Sequence, residues 1–180
     1  VLRDNQQAAS LATRYLIERG HRYIAYLGGR ESDLIRQQRL VGFRQTLAKF
    51  GIASRDEFTP ACDDDTYAAS MATRQLLENN NAITALLCHS PEAMIGCING
   101  IHQVGRTVGR GIFLTQQVAL IGFEDMLHIN LTSPVFTYVS SASEETGRQA
   151  ANLIIRKLKD PELQIQRIAL SGQLVVRESA

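Results

Sequence analysis

The feature that most constrains the fold is a repeated change between helical and strand-like periods along the chain. Apolar residues recur at helical spacing from Gln6 to Arg19, and the apolar run "YIAYLGG" that follows ends in two glycines. Further helices are predicted at 34–50, 66–78 and 91–105, separated by the strands "AITALLC" and "QVALIGF". Because successive strand–helix–strand units need crossover connections, the sequence predicts an α/β fold: a doubly wound, mostly parallel sheet with helices on both faces.

The same rhythm continues in the C-terminal third of the chain. After Pro134 the sequence predicts the strand "FTYVS", the helix "SEETGRQAANLIIRKL" and two closing strands around "QRIAL" and "QLVVR". Another short strand is expected near "EFTP". We expect about five or six of the strands to form one mostly parallel sheet. The segment Arg106–Gln116 is the one long connection, and loops of that length are functional or mobile.

The composition is typical of one globular domain. The 180 residues are 44% hydrophobic, and 19 basic against 18 acidic residues give a formal net charge of +1. Because the sequence has no Lys/Arg cluster longer than a pair, this segment is not expected to bind nucleic acid by itself. Three cysteines (Cys62, Cys88 and Cys97) lack paired or metal-type spacing, so we expect reduced thiols in a cytoplasmic protein.

Neither an export signal nor a membrane span is predicted. The first residues lack a basic region followed by an apolar core, and no apolar run approaches the length that a transmembrane helix needs. The chain begins without Met in the approach to a helix, which allows it to be a fragment of a longer protein. A missing signal therefore says little about location.

No motif in the sequence points to catalysis, a cofactor or a metal. A nucleophile elbow, a Walker loop and an H-E-x-x-H pattern are all absent, and the four histidines share no ligand spacing. The glycines of "GRTVGRG" follow a helix instead of a strand, which favours a helix stop and a loop over a phosphate cradle. The acidic run 63–65 precedes a helix, where carboxylates cap free amides, so capping is favoured over cation binding.

Polar residues at three places in the chain are candidates for ligand contact. The strand in "QVALIGFED" delivers Glu124 and Asp125 to the edge of a parallel sheet where ligands bind, although they could simply begin a loop. Arg39 lies near the start of a helix, where its guanidinium could donate a bidentate pair of hydrogen bonds to sugar hydroxyls or be solvated. Ser141 and Glu144 fit an S-x-x-E capping box, a structural role that does not exclude ligand contact.

The order of these segments resembles the C-terminal half of the effector-binding core of LacI/GalR-type transcriptional repressors. The resemblance rests on "YLIERGHRYIAYLGG", "RLVGF", "ITALLC", "VALIGFED" and "TYVSSASEETGRQAANLI", and covers nearly the whole chain. The insertion at 106–116 resembles the maltose-regulon repressor subgroup. The resemblance implies a lobe of the periplasmic-binding-protein-like type I fold, a small-molecule effector of the carbohydrate class, and a homodimer without cofactor, membrane contact or catalysis.

The resemblance also implies a division into lobes. Residues 1–136 and 164–180 would form the C-terminal lobe, and the helix at 140–160 would belong to the largely absent N-terminal lobe. DNA would be bound only through an absent N-terminal helix-turn-helix, and the repressor would be cytoplasmic. Two alternatives remain at this point: a periplasmic sugar-binding protein of a transport system, and a doubly wound enzyme, which the missing catalytic constellation disfavours.

Four effector-contacting positions of the family fall on residues of this chain. Arg39 would donate a bidentate pair of hydrogen bonds to the effector. Glu124 stands where the family usually has Asp, and so reaches about one methylene further. Ser90 is followed by Pro91, which removes the usual second acid, and Ser141 completes the set.

One helix is a candidate for self-association. Within "PEAMIGCINGIHQVG" a buried stripe can be formed by Cys97, Ile101 and Val104. The apolar side chains of Met94, Ile95 and Ile98 are then left over, and such a patch usually marks an interface. The related helix of LacI/GalR repressors lies at the subunit contact, which implies two-fold pairing of this helix with itself. The alternative is that all of these residues belong to the core.

Overall fold

The predicted alternation of helices and strands is present in the computed structural model, which describes residues 1–111, 116–124 and 134–180. Asp125 and part of the long connection, residues 112–115, lie outside the described residues. In chain order the elements are β1 (Leu2–Arg3), α1 (Asn5–Glu18), β2 (Ile24–Leu27), α2 (Leu34–Lys49), a 3₁₀ turn (Asp56–Phe58), α3 (Thr66–Asn79), β3 (Ala85–Cys88), α4 (Pro91–Gln103), β4 (Thr107–Val108), β5 (Gln117–Phe123), β6 (Thr137–Ser140), α5 (Ser143–Lys159), β7 (Ala169–Leu170) and β8 (Gln173–Val175).

The main sheet is mostly parallel and has the strand order β2-β3-β5-β6-β8, with β4 beside the start of β5. All of its pairs are parallel except that of β6 with β8. A separate small sheet pairs β1 with β7 across the length of the chain. Because β2, β3, β5 and β6 run in one direction, the residues that follow them meet at one edge of the sheet.

The core lies in two layers, one on each face of this sheet. Alternate strand residues bury toward opposite faces, as Ile24 and Tyr26 do against Ala25 and Leu27. Helices α1 and α2 cover the first face, and α3 and α4 cover the second. Within the described part of the chain the three cysteines are free thiols, two of them fully buried. None of the described helices is long and apolar enough to cross a membrane.

Helices α3 and α4 approach each other closely because α4 carries two glycines on the contact face. A Cβ atom added at Gly96 would lie 2.5 Å from the Cβ of Ala69, and one added at Gly100 would lie 2.6 Å from the Cβ of Thr73. Both distances are far below van der Waals contact. The backbone of α4 therefore packs directly on small residues of α3.

This packing corrects one prediction about α4. Met94 is fully buried, and its terminal methyl group would lie 2.8 Å from a Cβ added at Gly122 in the sheet. Met94 is a core residue, so the prediction that it belongs to an exposed apolar patch at a dimer interface is wrong. A helix that packs on both a sheet and a neighbouring helix buries two faces instead of one. Ile95 remains 39% exposed, and Ile98 is partly buried against the core.

Two local predictions differ from the structure for reasons of backbone geometry. The "EFTP" segment forms a 3₁₀ turn instead of a strand, and Pro60, which lacks an N–H to donate, only accepts a hydrogen bond from Gly28. Ser141 does not cap α5, because Ala142 turns the chain with a φ of 48° and the helix begins one residue later. By contrast, Asp65 caps α3 through the amide of Ala68, as the acidic run predicts.

Helix α5 differs from the other four helices in having no buried residue. Its apolar side chains Ile154 and Leu158 are 61% and 77% exposed. Such a helix has an apolar face that the described residues leave uncovered.

The close packing of α4 on α3 predicts that Gly100→Ala lowers the free energy of unfolding by about 1 to 3 kcal/mol. The added methyl group would meet the Thr73 side chain and the Ser70 carbonyl, which outweighs the better helix propensity of alanine. Gly147→Ala in α5 is the matched control, because a Cβ there meets nothing within 4 Å and should not destabilise. Chemical denaturation of both variants measures the difference, and equal stabilities would contradict the packing argument.

A buried histidine predicts that stability falls in mild acid. Burial, with a smaller contribution from Arg19, lowers the pKa of His21 to about 4, and its Nδ1 lies 2.8 Å from the Thr84 hydroxyl. As the pH drops below about 6.5 the unfolded chain takes up this proton first, so stability is lost between about pH 6.5 and 4. We expect roughly 1 to 2 kcal/mol less stability at pH 5 than at pH 7. Denaturation of His21→Gln should show a shallower pH dependence, and an unchanged one would exclude His21 as its source.

Candidate ligand-binding site

Arg39 is buried at the carboxyl edge of the sheet and is the central cation of the candidate site. It is 6% exposed, which excludes the solvated alternative left open by the sequence. Its Nη1 donates a hydrogen bond of 2.7 Å to the carbonyl of His89, and its guanidinium lies 4.1 Å from the centre of the Phe123 ring. Burial lowers the pKa of Arg39, but a guanidinium stays protonated in proteins. A fixed positive charge is thus held at the edge.

Glu124 follows β5 directly and reaches the same edge. Its amide donates to the carbonyl of Val139 at 3.0 Å, which continues the pairing of β5 with β6 by one residue. Its φ of 113° is a conformation that residues with a Cβ rarely adopt. Backbone strain of this kind persists only where the surrounding structure imposes it, and it is concentrated at functional sites.

Three of the four predicted ligand-contacting residues line one pocket. Arg39, Glu124 and Ser141 come from α2, the end of β5 and the end of β6, and Phe123 forms part of the same wall. The prediction that Arg39 and Glu124 open onto one concave edge is confirmed by this geometry. Their contact with an effector stays a prediction.

Arg3 belongs to this pocket and was missed by the sequence reasoning. Its Nη1 lies 2.6 Å from Glu124 Oε1, and its Nη2 is 3.5 Å from the Ser143 hydroxyl. The Ser143 hydroxyl is in turn 2.7 Å from that of Ser141. Arg3 thus connects the end of β5 to the start of α5. No local signal could have found it, since its position depends on the pairing of Arg3 with Leu170.

Ser90 is the predicted site residue that the structure does not bring into this pocket. Its hydroxyl caps α4 by accepting from the amide of Ala93 at 3.0 Å, and it also hydrogen-bonds the carboxylate of Asp64. Both bonding roles of the hydroxyl are therefore occupied within the protein. The proline that follows explains the geometry, because Pro91 at the first helical position places Ser90 at the N-cap.

A buried polar chain beneath the site fixes the backbone that holds Arg39. The Nε2 of His89 lies 2.9 Å from a carboxylate oxygen of Asp33, and its Nδ1 lies 2.7 Å from the Tyr26 hydroxyl. A carboxylate only accepts, so Nε2 carries the proton and the Tyr26 hydroxyl donates to Nδ1. Burial first, and then Arg39, lower the pKa of His89, which keeps the ring neutral. Burial raises the pKa of Tyr26 to about 12, which keeps its hydroxyl a donor.

The two glycines after β2 make room for this histidine. Gly28 and Gly29 both have positive φ angles, of 99° and 75°, and a Cβ added at Gly29 would lie 3.0 Å from the His89 ring. A Cβ added at Gly28 would lie 3.1 Å from the Cβ atoms of His89 and Ala93, so the ring packs against Gly29 while Gly28 leaves room for the start of the His89 side chain. Both ring nitrogens of His89 are therefore hydrogen-bonded within the protein.

The geometry gathers polar side chains at the carboxyl edge of a mostly parallel sheet, and sequence comparison gives the family of the fold. The chain belongs to the family of periplasmic binding protein-like domains, whose family model matches residues 13–180. Among curated proteins it is similar to the maltose regulon regulatory protein MalI of Escherichia coli K12, with 32% identity over 175 residues. That alignment covers 96% of this chain and 51% of MalI.

Other relatives and solved structures are regulators of the same kind. The ribose operon repressor of Haemophilus influenzae is 25% identical over 179 residues, which cover 99% of this chain and 52% of that protein. A complex of the transcriptional regulator CelR with cellobiose superimposes with a TM-score of 0.87 and 27% identity, covering 99% of this chain and 53% of CelR. The chain thus spans about half the length of the relatives it matches, and its resemblance to LacI-type regulators is confirmed.

Proposed function

We propose that this chain is the effector-sensing and dimerising module of a LacI-type transcriptional repressor. The observation that carries the proposal is the convergence of Arg39, Glu124 and Ser141 on one pocket at the carboxyl edge. A buried guanidinium, a carboxylate and a hydroxyl together supply the donors and acceptors that a sugar or sugar phosphate needs. The similarity to MalI, over nearly the whole chain, supports a carbohydrate effector.

The role proposed for the chain is binding without catalysis. The relatives named above are transcriptional regulators, not enzymes and not transport proteins. In this role the effector favours one arrangement of two lobes, and that arrangement sets the geometry of DNA-reading heads outside this chain. Because operators are reached in the cytoplasm, we propose a cytoplasmic protein without cofactor or membrane contact.

The lobe division proposed from the family resemblance has support in the exposure of α5. Residues 1–136 and 164–180 are assigned to the C-terminal lobe, and 140–160 to an N-terminal lobe outside this chain. Helix α5 (Ser143–Lys159) has no buried residue, although its apolar face requires a partner. The ligand would then lie between two lobes, of which this chain supplies one wall.

Arg39→Ala should weaken effector binding by roughly 2 to 4 kcal/mol, because buried ligand oxygens lose a charged donor. Titration calorimetry of the intact protein with neutral and phosphorylated sugars measures the change. Arg14→Ala is the control, since Arg14 is exposed on α1 and pairs with Glu18 at 2.8 Å. If the sugars bind Arg39→Ala as tightly as wild type, Arg39 is not in the effector site; if none binds the wild type, the proposed effector class is wrong.

We propose that Ile95, with Ile98 beside it, lies at a two-fold dimer contact on α4. Ile95 is 39% exposed, so Ile95→Asp should leave the fold intact while placing two like charges across the contact. The intact dimer should then sediment as a monomer. Val41→Asp is the matched control, because Val41 is 43% exposed on α2, away from this contact. A wild type that is already monomeric, or an Ile95→Asp protein that stays dimeric, would rule out this interface.

A further inference from the structure

A second cavity lies at the opposite end of β2 from the ligand-binding edge. It has a volume of about 260 Å³ and opens beside Tyr23, where the strand begins. Its floor is formed by Ile24, Phe43 and Leu47, each no more than 2% exposed. These three side chains are closed to solvent, and the apolar surface that a ligand could contact is that of Tyr23, which is 43% exposed, and of the partly buried Ile52.

One wall of the cavity carries a guanidinium that is fixed by backbone carbonyls. Arg22 Nη1 donates to the carbonyls of Ile17 and His21 at 3.1 and 3.0 Å, at the end of α1. A guanidinium has five N–H donors, and these two bonds use only one of its three nitrogens. The guanidinium of Arg22 is thus held in one orientation at the cavity, and its other N–H groups are not used by these two hydrogen bonds.

A second guanidinium faces the cavity between aromatic rings. Arg55 lies 5.8 Å from the centre of the Tyr23 ring and 5.3 Å from that of Phe58. Its guanidinium makes no hydrogen bond and no ion pair with the described residues. The next residue in the chain, Asp56, pairs with Arg44 instead, at 3.1 Å. Arg55 is therefore an exposed cation that contacts two aromatic rings and has no counter-ion within the described part of the chain.

The charged side chains that line the cavity are all basic. Its lining contains two arginines and no aspartate or glutamate. Two guanidinium groups beside the apolar surface of Tyr23 and Ile52 match a carboxylate attached to a flat apolar body, because guanidinium binds carboxylate in a forked geometry and the body displaces water from that surface. A cavity of this size takes a single ring or a short chain.

We propose that this cavity binds a small organic anion, an aromatic or short-chain carboxylate, with the carboxylate at Arg22 and Arg55 and the apolar body against Tyr23 and Ile52, above the buried side chains of Phe43 and Leu47. The cavity is distinct from the effector pocket. The two lie at opposite ends of β2 and along α2, where Arg39 lines the effector pocket and Phe43 and Leu47 lie one and two turns further on.

The test uses para-fluorobenzoate as the probe and fluorine NMR line broadening on the intact protein. Wild type should broaden the probe signal, and Arg55→Gln should weaken binding about tenfold or more by removing one charged donor pair. Arg44→Gln is the matched control, since it removes the same charge from an exposed arginine that does not line the cavity. Neutral para-fluorobenzyl alcohol should bind much more weakly than the anion.

Three results would overturn the proposal. The first is the absence of broadening by wild type at millimolar probe, and the second is equal binding by wild type and Arg55→Gln. The third is loss of binding in Arg39→Ala but not in Arg55→Gln, which would place the probe in the effector pocket. Because para-fluorobenzoate is not a sugar, failure here leaves the proposed effector function standing, and failure of the sugar titrations leaves this cavity standing.

Discussion

The candidate ligand-binding site depends on keeping one cation, that of Arg39, out of water. Removing a charge from solvent is costly unless other groups replace its hydration. Here the His89 carbonyl and the face of the Phe123 ring replace part of it, and the buried Nε of Arg39 has no hydrogen-bond partner among the described residues. This Nε is itself closed to solvent, so its unmet hydrogen bond adds to the cost of burying the cation. Burial of the Arg39 guanidinium costs free energy, and the same burial favours ligands that offer oxygen acceptors to its N–H groups.

Arg39 stays in place because its acceptor is held by three elements at once. The His89 carbonyl follows β3, while its ring is bonded to Tyr26 in β2 and to Asp33. Asp33 also caps α2, the helix that carries Arg39, through the amide of Ile35 at 2.8 Å. Two strands and the helix therefore share one buried hydrogen-bond chain. A displacement of any of them strains the others, which fixes the guanidinium before a ligand arrives.

The parts that could be predicted from the sequence follow from one rule, that the carboxyl ends of parallel strands meet at an edge. This rule, with the family resemblance, brought Arg39, Glu124 and Ser141 together. The features that were missed or wrongly predicted depend on tertiary contacts that leave no local pattern in the sequence. Arg3 reaches Glu124 only through a strand pairing with the far end of the chain. Met94 was assigned to the surface because one buried stripe was assumed, whereas α4 buries one side against the sheet and another against α3.

Helix α5 connects the effector pocket to the proposed second lobe. Its acidic first turn and basic last turn complement the helix dipole, yet a helix of 17 residues without buried side chains is marginal in water. Covering Ile154 and Leu158 would contribute roughly 1.5 to 3 kcal/mol for each side chain. Helix α5 starts beside Ser141, and Ser143 in its first turn contacts Arg3, the partner of Glu124. In the proposed division into lobes, a ligand that engaged Glu124 and Ser141 would act where α5 begins, and a change in the pairing of Arg3 with Glu124 would alter how α5 contacts the proposed second lobe.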